Sequence, residues 1–225
     1  MNKTTKRTAI IIGATGVTGK HITRCLLKND FYSQVLVFSR RKLVYEDDKL
    51  LNHVVDFADI DNWSHLIQGD DIFSAMGTTL KQAGSREAQY KVDFGYQADV
   101  IRSAADHDVQ RLFLISAPNA DKNSSIFYSR MKGELDSLVL GLGFETVVLF
   151  KPSIIEGDRV DGRMGEKMGG LLFRAVAWMP GLSKWRPISG EQLGVAMVNC
   201  ATRPMPPGSH CIQLDDIFSL LDAPE

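Results

Sequence analysis

The sequence predicts a doubly wound α/β domain, in which a parallel β-sheet carries helices on both faces. Short apolar, β-branched runs alternate with segments of helical periodicity through the first two thirds of the chain. A glycine-rich turn follows the first apolar run, and the 225 residues suit one domain of this class. Alternating strands and helices require crossover connections, and these make the strands parallel.

The predicted strands and helices follow one another in regular order. Strands are predicted at residues 8–12, 34–38, 53–55, 71–75, 111–116 and 146–150, and helices at 17–28, 88–105 and 127–140. Glycines and prolines punctuate the last third, where helices are predicted at 166–179 and 191–200. We therefore interpret residues 1–225 as a single domain. Its nucleotide-binding core spans about 8–155, and about 156–225 form a small C-terminal cap on the substrate side.

Composition excludes several classes of function. The net charge is −1, so the chain lacks the basic excess typical of nucleic-acid binding. The three cysteines form no C-x-x-C pair, and the five histidines are scattered. We therefore predict neither a disulfide nor a metal site.

The sequence also predicts no membrane span. The apolar run at residues 9–12 is too short for a signal peptide. A second apolar stretch, residues 169–181, is interrupted by Arg174 and Pro180 and is shorter than the ~20 residues of a spanning helix. We expect a cytoplasmic protein.

The glycine-rich turn predicts a dinucleotide site of the Rossmann type. Gly13, Gly16 and Gly19 lie between a predicted strand and a predicted helix. This context favours a turn that accepts a pyrophosphate against the helix N-terminus. The spacing is G-x-x-G-x-x-G, whereas the commoner fingerprint is G-x-G-x-x-G. The predicted pyrophosphate contacts are Gly13, Thr15, Gly16, Val17, Thr18 and Gly19.

The end of the second strand indicates which cofactor binds. NAD-specific proteins place an acid there for the ribose 2′-hydroxyl, whereas this chain has Ser39, Arg40 and Arg41. Guanidinium groups suit a 2′-phosphate, so we predict NADP(H) in preference to NAD(H). Further contacts are predicted from position in the fold at Asp56, Phe57, Ala75, Met76 and Gly77.

Three residues form a candidate catalytic set. Tyr128 and Lys132 are four residues apart on a predicted helix and share a face, and Ser116 ends the fifth predicted strand. An ammonium lowers the pKa of a nearby phenol, which otherwise lies near ~10. A serine hydroxyl can hold a carbonyl oxygen while the tyrosine donates a proton. These groups suit hydride transfer to a ketone or aldehyde.

Together these residues resemble the short-chain dehydrogenase/reductase superfamily. The finer resemblance is to its atypical branch, the oxidoreductase-like family of the HIV Tat-interacting protein. That resemblance extends from about Thr8 to Arg159 and rests on residues 39–43, 54–57, 76–79, 91–93, 127–134 and 150–153.

The resemblance implies a Rossmann fold that binds NADP(H), with Tyr128 as the acid/base and Ser116 orienting the substrate. It also implies that Lys132 contacts the nicotinamide ribose and that Pro152, Ser153 and Ile154 contact the nicotinamide. Many relatives use an asparagine on the fourth helix in a proton relay, where this chain has Asp93. Many relatives also dimerise through the helices that correspond to 88–105 and 127–140, so a homodimer or a protein partner is expected. The expected small-molecule partner is a carbonyl substrate.

Three functions fit the sequence. The first is an NADPH-dependent reductase of a small carbonyl compound, and the second is a regulatory protein that senses NADP(H) with little or no turnover. A cofactor-retaining epimerase or isomerase would use the same residues. Five apolar residues of the cap either line a substrate pocket or belong to the ordinary core, and the sequence leaves both interpretations open. They are Met164, Met168, Phe173, Trp178 and Trp185.

Overall fold

The computed structural model describes residues 6–156 and 185–222. Within them the main sheet has seven strands: β1 (Arg7–Ile12), β2 (Tyr32–Ser39), β3 (Leu50–Val54), β4 (Asp71–Ser74), β5 (Arg111–Ile115), β6 (Thr146–Lys151) and β9 (Gly208–Gln213). All neighbouring pairs are parallel, in the order β3-β2-β1-β4-β5-β6-β9. A separate two-stranded parallel sheet joins β7 (Ile155–Glu156) to β8 (Ile188–Ser189). The predicted Rossmann-type α/β sheet is confirmed.

Helices connect the strands of the main sheet. They are α1 (Gly19–Lys28), α2 (Leu80–Ala83), α3 (Arg86–Tyr90), α4 (Gln97–Asp106), α5 (Phe127–Val139) and α6 (Gly190–Thr202), with a π-helical turn, Lys91–Tyr96, between α3 and α4. Short 3₁₀ segments occur at Ile60–Asn62, Ser64–Leu66 and Leu214–Leu220. No helix in residues 6–156 and 185–222 has the length and apolar character needed to cross a bilayer.

Alternation along the strands produces two cores, one on each face of the sheet. In β1, Ile11 joins the cluster that includes Ile22 of α1 and Leu193 of α6. Its neighbour Ile10 joins the opposite cluster, which includes Leu135 of α5. Successive strand residues point to opposite faces, so both faces of a doubly covered sheet are apolar.

A buried carboxylate joins the amino ends of four strands. Asp71, fully buried at the start of β4, accepts hydrogen bonds from Arg7 of β1, Arg111 of β5 and the hydroxyl of Tyr32 of β2. These partners compensate for the loss of hydration of a buried charge. The Asp71 cluster, as we name these four residues, lies at the edge of the sheet opposite the carboxyl ends of the strands, where ligands of α/β proteins bind.

Strand β9 and helix α6 of the predicted cap join the main sheet and its helical layer, whereas β8 belongs to the small sheet. Strand β9 pairs with β6, and α6 packs against α1. Sequence patterning gave no sign of β9, because Pro204, Pro206 and Pro207 precede it and its residues alternate between exposed and half-buried at the sheet edge. The helix predicted at 166–179 lies outside the described residues.

Candidate cofactor and catalytic site

The glycine-rich turn brings the end of β1 against the end of β4. Gly13 has φ +84°, and a Cβ there would lie 2.5 Å from backbone atoms of Ala75 and Met76. A Cβ on Gly19 would lie 2.0 Å from the carbonyl oxygen of Gly13, so α1 begins directly on the turn. Gly16 is less confined, since its Cβ would meet only that carbonyl, at 3.2 Å, and the Ala75 oxygen, at 3.8 Å. Gly13 and Gly19 therefore permit the close backbone contacts of the turn, whereas the missing Cβ of Gly16 leaves space beside the turn.

The start of α1 suits an anion. Thr18 is the N-cap residue, its side chain makes no capping hydrogen bond, and no acidic residue lies in the first turn. A helix N-terminus presents backbone N–H groups and the positive end of its dipole. Thr15 is exposed and Val17 half-buried at this end of the turn.

A basic turn, residues 39–43, follows β2. Its Arg40 and Arg41 side chains are exposed, and within residues 6–156 and 185–222 neither guanidinium makes a hydrogen bond or ion pair. Lys42 instead pairs with Glu46 at 3.2 Å. Ser39 is buried, and its hydroxyl donates to the carbonyl of Arg41 at 2.7 Å. Two guanidinium groups are thus available to an external anion, whereas the Ser39 hydroxyl is used within the turn.

Asp56 and Phe57 differ in accessibility. Asp56 is exposed, and its carboxylate accepts the backbone N–H of Ala58 at 2.9 Å. Phe57 is buried and packs edge-on against Trp63, with ring centroids 5.6 Å apart. The Phe57 side chain is therefore part of the core, and its predicted contact with the cofactor is limited to its backbone.

Asp93 hydrogen-bonds to the segment after β4 and interacts with the charge of Lys132 on α5. It lies in the π-helical turn, is 2% exposed, and accepts the backbone N–H of Thr78 at 2.6 Å. Burial raises the pKa of Asp93, and the charge of Lys132 and the Thr78 hydrogen bond oppose that increase. An asparagine oxygen could accept the same N–H, but only an aspartate adds negative charge beside Lys132. Gly77 is exposed near this carboxylate.

Lys132 and Ser116 meet at the carboxyl end of β5. The Lys132 side chain is buried, and its Nζ donates to the carbonyl oxygen of Ile115 at 2.9 Å. Ser116, the next residue, is also buried, and its Oγ has no hydrogen-bond partner in the part of the chain that the structure describes. A buried hydroxyl without a partner is unfavourable, so this atom can gain a hydrogen bond from a ligand.

Tyr128 lies one helical turn before Lys132. Both belong to α5 at a spacing of four, so their side chains project from one face. Tyr128 is 45% exposed, whereas Lys132 is buried. The Tyr128 side chain is therefore partly accessible to solvent, whereas that of Lys132 is not.

The charge of Lys132 is balanced by acids on two elements. Burial lowers its pKa, and Asp93 and Asp136 oppose this decrease. Asp136 follows Lys132 by one turn and is buried, and Lys151 Nζ at the end of β6 lies 2.9 Å from its Oδ2 in an ion pair without hydrogen-bond geometry. Asp136 and Lys151 were not among the predicted site residues, although the spacing of four between Lys132 and Asp136 indicates neighbouring side chains on a helix.

The segment after β6 leads into the small sheet. Pro152 is buried, Ser153 donates its hydroxyl to the carbonyl of Arg186, and Ile154 is exposed. Trp185 is half-buried and precedes Arg186 in the chain. The other residues predicted to line a pocket or to form core, Met164, Met168, Phe173 and Trp178, lie outside the described residues.

Comparison with known proteins identifies the family. A family model described as NAD(P)H-binding matches residues 13–138. Protein HTATIP2 of Rattus norvegicus is 32% identical over 185 residues, which are 80% of this chain and 76% of that protein. Protein fmp52, mitochondrial, of Aspergillus fumigatus is 40% identical over 165 residues, covering 69% of this chain and 70% of that protein.

The names of these relatives correct one expectation. FMP52 proteins of Candida glabrata, Aspergillus niger and Scheffersomyces stipitis are also named mitochondrial. The expected cytoplasmic location is therefore wrong, because it is contradicted by the mitochondrial names of these relatives. The expectation rested on secretion signals and membrane spans, and neither feature distinguishes cytoplasm from mitochondria.

Solved structures agree on the fold. MoeE5 in complex with UDP-glucuronic acid and NAD superposes with a TM-score of 0.68 at 15% identity, covering 92% of this chain and 76% of that one. A short chain dehydrogenase family protein from Francisella tularensis has a TM-score of 0.65 at 13% identity, covering 96% and 99%. The family match and the HTATIP2 relative show that the chain belongs to an NAD(P)H-binding, HTATIP2-like family, and the solved structures show that it shares the fold of a short chain dehydrogenase.

Proposed function

We propose that this protein is an NADP(H)-dependent reductase of a small carbonyl compound. The observation that supports this proposal most strongly is the arrangement at the end of β5. There Lys132 is buried beside Ser116, whose Oγ lacks a partner among the described residues, and an accessible Tyr128 lies one helical turn away. A cation, a phenol and a hydroxyl without a partner among the described residues are the groups that carbonyl reduction requires.

The residues present fit a dinucleotide with a 2′-phosphate. The space left by the missing Cβ of Gly16 and the acid-free N-terminus of α1 favour a pyrophosphate. We assign the 2′-phosphate to Arg40 and Arg41, whose guanidinium groups are unpaired within the described residues. When bound, NADPH would supply the hydride.

The chain's own residues would handle the proton and the carbonyl oxygen. Ser116 Oγ would donate a hydrogen bond to that oxygen, which also satisfies its own buried hydroxyl. The Tyr128 hydroxyl would transfer its proton to the same oxygen as the carbonyl carbon is reduced, giving an alcohol. The ammonium of Lys132 would stabilise the resulting phenolate.

Asp93 is compatible with this chemistry. Its carboxylate orders the segment after β4 through Thr78 and favours the charged form of Lys132. We therefore assign Asp93 a positioning role toward Lys132. The asparagine-dependent relay of many relatives is no part of this proposal.

Two measurements test the proposal. Calorimetric titration should give a lower Kd for NADPH than for NADH, and an Arg40→Ala, Arg41→Ala double variant should lose that preference. Aldehydes, ketones and quinones are then screened with NADPH by its loss of absorbance. Equal affinities in the unmodified protein would contradict the cofactor assignment. Tight NADPH binding without turnover of any substrate class would contradict the reductase and favour the NADP(H)-sensing alternative.

A further inference from the structure

The basic turn, residues 39–43, is held in shape by a residue outside it. Asn52 lies in the middle of β3, where it pairs with Val37 of β2. Its Oδ1 accepts the backbone N–H of Leu43 at 2.7 Å, and its Nδ2 donates to Ser39 Oγ at 2.8 Å. One side chain therefore contacts the first and last residues of the turn.

A second hydrogen bond extends this contact to the backbone of Arg41. Ser39 Oγ accepts from Asn52 and donates to the carbonyl oxygen of Arg41 at 2.7 Å. The other end of the turn is anchored by the buried side chain of Leu43. Asn52, Ser39 and Arg41 thus form a continuous hydrogen-bonded chain from the sheet to the backbone that carries the two guanidinium groups.

Ordering this backbone before ligand binding affects affinity. A phosphate bound by two arginines on a mobile turn would have to order that turn, and the entropy lost would weaken binding. A preformed turn reduces that loss for a ligand that contacts it and has no effect on a ligand that does not. Among the described residues, Lys42 is paired with Glu46, so the supported groups are Arg40 and Arg41.

We propose that Asn52 is a positioning residue that sets the preference for dinucleotides carrying a 2′-phosphate. This inference rests on the proposed NADP(H) function. Asn52 would act through the basic turn and would not touch the cofactor. Its removal should therefore weaken NADPH binding while leaving NADH binding nearly unchanged.

The test compares Kd values for NADPH and NADH by calorimetry in the full chain. Asn52→Ala should raise the Kd for NADPH about fivefold to tenfold, the scale of one or two lost hydrogen bonds, and change that for NADH less than about twofold. Ser39→Ala is a smaller change that breaks the same chain of hydrogen bonds, and it should also raise the Kd for NADPH relative to that for NADH. It decides the question if Asn52→Ala does not fold.

Asn199→Ala is the matched control. Asn199 lies on α6 and donates to the carbonyl of Leu220 at 2.9 Å, away from the basic turn. Its loss should lower stability and leave both Kd values unchanged. The positioning role would be overturned if Asn52→Ala kept the NADPH preference of the unmodified protein, or if it lost affinity for NADPH and NADH equally. Absence of any NADPH preference in the unmodified protein would instead contradict the proposed cofactor, and the inference would fail with it.

Discussion

The buried ammonium of Lys132 donates to the carbonyl oxygen of Ile115 at 2.9 Å, which fixes α5 to the carboxyl end of β5. The bond brings the helix that carries Tyr128 beside Ser116, although ten residues lie between Ser116 and the start of α5 at Phe127. Asp93 and Asp136 supply negative charge that opposes the effect of burial on the Lys132 pKa. Lys132 therefore has a structural role and an electrostatic one.

Replacing Lys132 should affect turnover and cofactor binding together. In Lys132→Met, Asp136 keeps Lys151 and Asp93 keeps the Thr78 N–H, so we expect the fold to persist. Loss of the ammonium should lower kcat by about 10²-fold or more and also raise the Kd for NADPH. Steady-state kinetics and calorimetry measure the two effects. Lys122→Met, on an exposed loop lysine, should change neither quantity.

Glycine substitutions should separate folding from cofactor binding. Gly16→Ala places a Cβ 3.2 Å from the Gly13 carbonyl, which a small shift can accommodate, so the fold should remain while dinucleotide affinity falls by about tenfold or more. Gly13→Ala should instead lower stability by about 1–3 kcal/mol, because φ is +84° and the Cβ would meet the backbone of Ala75.

Circular dichroism, urea denaturation and NADPH titration distinguish these outcomes. Gly141→Ala is the control, since its Cβ would make an ordinary contact at 3.5 Å. Unchanged NADPH affinity in a folded Gly16→Ala variant would show that this turn does not hold the pyrophosphate.

The Asp71 cluster predicts a pH-dependent contribution to stability. Burial raises the pKa of Tyr32 well above its ordinary value, and the charge and hydrogen bond of Asp71 add to this. Because the pKa of Tyr32 is higher in the folded than in the unfolded protein, folding favours the protonated phenol. This contribution to stability is fully present below the unfolded pKa of about 10 and is lost as pH rises toward the folded pKa.

Comparison of the unmodified protein with a Tyr32→Phe variant should reveal this dependence. At pH 7 the variant should be less stable than the unmodified protein by about 1.5–3 kcal/mol, the range for a hydrogen bond to a charged group. That difference should shrink above about pH 10. Urea denaturation from pH 7 to 11 measures both, with Tyr96→Phe as a control outside the cluster. A difference that grows with alkaline pH would contradict the assignment.

Much of the fold could be predicted from local patterns. Apolar runs in β1, β2, β5 and β6 are strong signals because both faces of the sheet are covered. Strand β9 was missed because it is a polar edge strand whose place is determined by pairing with β6. The helix predicted over 88–105 is interrupted by the π-helical turn at Lys91–Tyr96, which helical periodicity does not show.

Parts of the candidate site could be predicted from the spacing of residues along the chain. The four-residue spacing of Tyr128 and Lys132 gave their shared face, and the glycines gave the turn. The role of Asn52 depends on β3 lying beside β2, which is a tertiary contact. The burial of the Phe57 side chain against Trp63 is likewise a tertiary contact that its position in the chain does not reveal, and its cofactor contact stays a prediction.

The most direct test of the proposed chemistry removes one oxygen atom from Tyr128. Tyr128 is 45% exposed, so Tyr128→Phe should keep the fold. With a carbonyl substrate found in the screen, NADPH consumption should fall about 10²–10⁴-fold while the Kd for NADPH changes little, because the lost group donates the proton. Turnover in Tyr128→Phe equal to that of the unmodified protein would contradict the account.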